Sequence, residues 1–131
     1  MITADQIYLH LIGDYILQSD WQAINKTKRW FPALVHALVY SLGFLCFRPS
    51  LTAWLVILVT HFFIDRYRLA RYVVWAKNFI APPNSNPPWA ECSGTGYPKD
   101  RPDWLTVWLG IIADNCIHIG INALALRYPS C

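Results

Sequence analysis

The stretch Leu51-Thr-Ala-Trp-Leu-Val-Ile-Leu-Val-Thr is almost unbroken apolar sequence, and it leads directly into His61-Phe-Phe-Ile-Asp65. A histidine and an aspartate four residues apart on a helix share one face, so both side chains can point at one ion. The spacing recurs. His10 and Asp14 repeat it, and Asp114 and His118 repeat it in reverse. Three of the four histidines therefore have an aspartate one helical turn away, and the fourth, His36, has Tyr40 there. Any fold of this chain must bury these pairs on apolar helices and satisfy them there.

A chain of 131 residues has room for one domain. It is 55% hydrophobic and 15% aromatic, with a mean hydropathy of +0.26. That balance points to a small integral membrane protein with polar loops. The net charge of +3 is too small to suggest nucleic acid as a partner. The opening Met1-Ile-Thr-Ala-Asp-Gln carries no basic stretch and His10 and Asp14 interrupt the first apolar run, so no secretory leader is expected. Cys46, Cys92, Cys116 and Cys131 form no Cys-x-x-Cys pair, which argues against a zinc finger or a disulfide framework. Cys46 and Cys116 fall in apolar helices, where a buried thiol acting as a small hydrophobe is expected.

The fold expected is all-α: a polytopic membrane four-helix bundle with a polar metal-binding centre. Its helices are placed at about 3–18, 30–47, 51–78 and 104–127, with a Pro-rich loop over 81–102. Thr3 and Gln6 have the spacing of a capping box at the start of the first helix, and Ser50 and Asp103 are the N-caps expected for the third and fourth. Ser19 to Arg29 reads as a polar connection. With four crossings, one side receives two positive charges, Arg48 and Arg127. The other receives nine: Lys26, Lys28, Arg29, Arg66, Arg68, Arg71, Lys77, Lys99 and Arg101. The long basic loops are therefore expected in the cytoplasm of a bacterial inner-membrane protein. Trp21, Trp30, Trp89 and Trp104 are expected at the membrane interface.

At about 1.5 Å per residue from the outer helix ends, the six His and Asp residues of the pairs, and His36, fall between about 6 and 21 Å into a core about 27 Å thick. Ionisable groups inside a membrane are costly and usually mark function. A divalent metal is the simplest compensation, and His10, Asp14, His36, His61, Asp65, Asp114 and His118 are the candidate ligands. Zinc is the first candidate, with manganese or iron as alternatives. Seven ligands exceed what one tetrahedral ion needs, so two ions are expected. Gln18, Tyr40, Asn115 and Asn122 are read as supporting groups. The rival readings of the same residues are a buried hydrogen-bond and ion-pair network, and a proton or ion pathway.

His10-Leu-Ile-Gly-Asp14 with Gln18 and Trp21, then Lys26, His36, Thr60-His61-Phe-Phe-Ile-Asp65 and Asp114-Asn-Cys-Ile-His118, resemble a family of small membrane proteins of bacteria and their phages known as a domain of unknown function. The His-x-x-Gly-Asp and His-x-x-x-Asp pieces are also distantly similar to membrane-bound metal-dependent hydrolases and to the zinc phospholipase C and single-strand nuclease superfamily. That second resemblance implies zinc ligands at His10, Asp14, His61 and Asp65 and cleavage of phosphodiesters. The reversed Asp114/His118 pair departs from its pattern.

The activity expected is metal-dependent hydrolysis of a phosphoester or lipid-linked substrate. Clustered ions would lower the pKa of a bound water, and Asp14 or Asp114 would take its proton. Lys26, Arg66 and Arg68 would attract an anionic head group, under the 81–102 loop as a cover. No serine elbow, phosphate loop or His-Glu-x-x-His is present. The alternative is a non-enzymatic, metal-stapled membrane module that binds a partner protein, as a modulator of its host if phage-encoded, with the Pro-rich loop as docking surface. Either form leaves apolar surface for lipid or for a second copy.

Overall fold

The structure, a computed structural model, describes residues 2–82 and 85–127. It is all-helical, with no strand among the described residues. By packing, the chain forms two compact units. One comprises the residues up to Arg68 together with those from His118 onward, and the other is Leu69–Ile117.

In the first unit, α1 (Ala4–Leu11) starts on the expected capping box: Thr3 Oγ1 accepts from the Gln6 N–H, and Gln6 Oε1 accepts from the Thr3 N–H, each at 3.3 Å. The helix does not run on as α to residue 18. It widens into a π turn over Ile12–Ile16. The stretch read as a polar connection holds a second helix, α2 (Asp20–Asn25), opened by its own capping box, in which the Ser19 N–H donates to Gln22 Oε1 at 2.8 Å. α3 (Trp30–Gly43) has Pro32 in its first turn and tightens into a 3₁₀ turn, Phe44–Phe47, ended by Arg48 in the left-handed region at φ 51°. α4 (Leu51–Tyr67) is capped by Ser50, whose Oγ accepts from the Ala53 N–H at 3.1 Å. Residues 118–127 of the last helix complete the unit.

The third expected helix, 51–78, is corrected here. It stops at Arg68, which takes φ 53° and ψ 50°, a left-handed cap that turns the chain without a glycine. α3 and α4 pack closely along their length. One apolar cluster joins Tyr40, Phe44, Ile57 and Ala125, and another joins Ala33, Ala37 and Phe62.

The second unit contains α5 (Ala70–Ala76), a 3₁₀ turn at Lys77–Ile80, α6 (Trp89–Cys92) and residues 103–117 of α7 (Asp103–Arg127). The Pro-rich segment is folded onto α5 through its aromatic rings. Tyr72 stacks on Trp89 with centroids 4.7 Å apart, Arg71 Nη1 donates to the Ser93 carbonyl at 2.9 Å, and Lys77 Nζ donates to the Tyr97 hydroxyl. Gly96 is required at φ 88°, where a Cβ would meet the Arg71 carbonyl at 2.5 Å. The thiol expectation is reversed: Cys46 and Cys116 are exposed and Cys92 is buried.

Among the described residues two stretches are long and apolar enough to cross a membrane, Trp30–Phe47 and Asp103–Arg127, where four were expected. α4, at 17 residues, falls just short in length, and the first helix is divided by its π turn.

Candidate metal centre

The histidines of the first unit and two of its aspartates face inward from their helices. His10, His36, His61 and His118 are each at most 1% exposed, and Asp14 and Asp65 are buried beside them. Asp14 is presented by the π turn, and such turns are frequent at functional sites because they redirect a side chain within a continuous helix. His36 comes from the middle of α3, and His61 and Asp65 from successive turns of α4.

Their donor atoms converge. His36 Nε2 and His61 Nε2 are 3.0 Å apart. Asp14 Oδ1 stands 3.3 Å from each of those nitrogens. Asp65 Oδ2 stands 3.0 Å from His36 Nε2 and 3.2 Å from His61 Nε2. The four residues can present donor atoms that all lie within 4.8 Å of one another. Around a tetrahedral zinc with bonds of about 2.0–2.1 Å, neighbouring ligand atoms stand about 3.3 Å apart. The five separations above, 3.0 to 3.3 Å, lie at or slightly below that length.

Two further observations fit a cation. Asp14 Oδ1 is buried and makes no hydrogen bond, although two imidazole nitrogens stand 3.3 Å from it. A buried carboxylate oxygen in that position is expensive unless something positive lies between the donors. The donor set is two imidazoles and two carboxylates, which suits zinc, manganese or iron(II) and contains no sulfur.

A second ring of groups orients these four. The Tyr40 ring stacks on His61, and its hydroxyl lies 2.8 Å from His10 Nδ1 and 2.6 Å from Asn122 Nδ2, which donates to it. His118 Nδ1 is 3.2 Å from His61 Nδ1, and His118 Nε2 is 3.4 Å from Asp65 Oδ1. Lys26 Nζ reaches Asp65 Oδ2 at 2.8 Å. Gly13 explains the glycine of His-x-x-Gly-Asp: a Cβ there would stand 2.5 Å from Tyr40 Cδ2.

Of the seven expected ligands, then, Asp14, His36, His61 and Asp65 form one four-residue set. His10 sits at its edge, with Nδ1 3.5 Å from Asp14 Oδ2, and His118 lies behind His61 and Asp65. Asp114, also expected as a base, is partly buried on the part of α7 that belongs to the second unit. Of the expected substrate-binding cations, Lys26 lies in the centre itself. Arg66 spends its guanidinium on the Thr27 and Lys28 carbonyls, at 2.7 and 3.3 Å. Arg68 is exposed at the left-handed cap of α4. Tyr40 and Asn122, read as supporting groups, are hydrogen-bonded to each other beside His10 and His61. Gln18 Oε1 is buried without a hydrogen bond, and Gln22 is used in the cap of α2.

No curated protein and no solved structure matches the chain. The wider resemblance to metal-dependent hydrolases therefore finds no support there. Residues 2–82 match a family described as protein of unknown function (DUF3307), and that segment contains all four members of the converging set together with His10 and Lys26. The chain belongs to the DUF3307 family.

Proposed function

We propose that this chain is an integral membrane protein whose Asp14–His36–His61–Asp65 centre holds a single divalent ion, with zinc as the first candidate. The observation that carries the reading is the set of donor separations, 3.0 to 3.3 Å between buried residues of three separate helical segments. Four protein ligands complete a tetrahedral shell, and closed shells of that kind stabilise folds. The ion would tie the π turn, α3 and α4 together.

The membrane part of the reading rests on an inverted distribution of side chains. The interior of the first unit holds four histidines, two aspartates and Asn122, while Leu34, Leu38, Leu42, Leu55, Val59 and Phe63 are exposed. In water that arrangement wastes the hydrophobic effect, whereas in lipid the outer face is solvated and the polar groups satisfy one another inside. The exposed Trp21, Trp30 and Trp104 suit the interface. α4 crosses in this reading with the help of its neighbours, and the basic 26–29 and 66–77 segments lie in the cytoplasm.

X-ray absorption at the zinc edge on the detergent-purified protein tests the centre. Two imidazoles and two carboxylate oxygens at about 2.0–2.1 Å are expected, with no sulfur. A sulfur shell, or a mainly aqueous shell, would contradict it.

A hydrolytic use of the same centre is favoured by one observation, the Lys26 ammonium on Asp65. A lysine at the edge of the centre supplies a cation for an anionic phosphoester, and an Asp14 that left the shell would open a position for water and serve as its base. Release of a chromogenic phosphodiester's leaving group by the zinc-loaded protein, abolished in Asp14→Asn, would support this use. A zinc-loaded protein that releases none would leave the closed centre as the function.

A further inference from the structure

Asp65 Oδ2 is the more crowded of the two carboxylate oxygens that face the two imidazoles. Besides the two imidazole nitrogens at 3.0 and 3.2 Å, it accepts the Lys26 ammonium at 2.8 Å. Lys26 Nζ also lies 3.4 Å from His36 Nε2. Lys26 therefore addresses two of the four atoms that would ligate the ion. An ion about 2.1 Å from Asp65 Oδ2 would lie at most about 4.9 Å from a Lys26 Nζ held 2.8 Å from that oxygen. Two carboxylates balance one divalent charge. An ammonium kept at that range adds an uncompensated positive charge in a site with little water to screen it.

We infer that the Lys26 ammonium and the divalent ion are alternative occupants of Asp65, so that metal entry releases Lys26. The inference rests on the metal-centre reading above. Lys26 fills the role of the ion when none is bound, keeping Asp65 compensated and the helices together. It is a positioning residue that weakens the site for metal and reports its loading. The route outward exists, since the Lys26 side chain is already 17% exposed. The backbone need not follow, because Arg66 holds the Thr27 and Lys28 carbonyls at 2.7 and 3.3 Å. Release is a swing of one side chain that places a free ammonium at the end of α2.

The test uses the full chain in detergent with zinc alone as the probe, and two readouts. In the first, lysines are acetylated for short times and quantified one by one by mass spectrometry. Lys26 should react slowly without zinc and severalfold faster in saturating zinc, with Lys28 unchanged as the internal reference. In the second, zinc affinity is measured by competition with a chelating dye. Lys26→Met should bind zinc more tightly by about 5–150-fold, the usual size of such a coupling. Should Lys26→Met lack the helical circular dichroism of the parent, Lys26→Arg replaces it; its fork holds Asp65 more firmly and zinc should bind more weakly. Zinc binding with unaltered Lys26 reactivity and equal or weaker affinity in Lys26→Met overturns the exchange while leaving the centre. Failure of both the parent and Lys26→Met to bind zinc overturns the centre, and the exchange with it.

Discussion

The Tyr40 ring lies flat against the His61 imidazole, with centroids 3.6 Å apart and planes 14° from parallel. That stack fixes the orientation of the histidine that contributes Nε2 to the centre. It is itself held by the hydroxyl's bonds to His10 and Asn122, and it fits because Gly13 has no Cβ to meet the ring at Cδ2.

Gly13→Ala tests that arrangement. The new Cβ would stand 2.5 Å from Tyr40 Cδ2, so the ring must move off His61. Overpacking of this kind costs about 1–3 kcal/mol. The expected result is a lower thermal midpoint in detergent together with weaker zinc binding. An unchanged midpoint would show that Tyr40 yields freely and does not orient His61.

Tyr40→Phe keeps the stack and removes the hydroxyl that both His10 and Asn122 use. Loss of one partner from a buried polar group costs about 1–3 kcal/mol. Adding Asn122→Leu should recover part of that loss, because it removes the amide left behind. Chemical denaturation of the two variants beside the parent reads the difference, and strictly additive losses would contradict the network.

These effects could not have been placed from the sequence, although much of the centre could. The His61/Asp65 and His10/Asp14 pairs were legible because four-residue spacing is a property of a single helix. His36 had no such partner, and its position between Asp14 and Asp65 is a contact across α3 and α4 that no local spacing announces. α2 was legible in principle, since Ser19-x-x-Gln22 has the form of a capping box. The break at Arg68 was not, because no Gly or Pro marks it. The cysteines show the limit of composition. Apolar neighbours place Cys46 and Cys116 on apolar helices without saying which way the thiols face.

Thiol labelling uses that correction to test the membrane reading. In a Cys46→Ser, Cys131→Ser background, Cys116 is the exposed thiol among the described residues, and it would face lipid. In membranes it should react with a small apolar maleimide and resist a charged one. Rapid reaction of Cys116 with the charged reagent would place it in water and contradict the crossing of α7.

Arg66→Met should destabilise the first unit without altering zinc stoichiometry, because the guanidinium is committed to the Thr27 and Lys28 carbonyls. The loss should fall near the low end of the about 1.5–3 kcal/mol typical of bonds to charged groups, since one of the two is exposed. A variant with full stability would contradict that role for Arg66.

The most direct test of the central claim is the metal content of the detergent-purified protein by elemental mass spectrometry, measured beside His61→Ala and Asp65→Asn. The account predicts one equivalent of divalent metal in the parent and a large loss in both variants, each of which removes a donor from the converging set. A folded parent that carries no metal after incubation with zinc, or variants that retain the full equivalent, would contradict it.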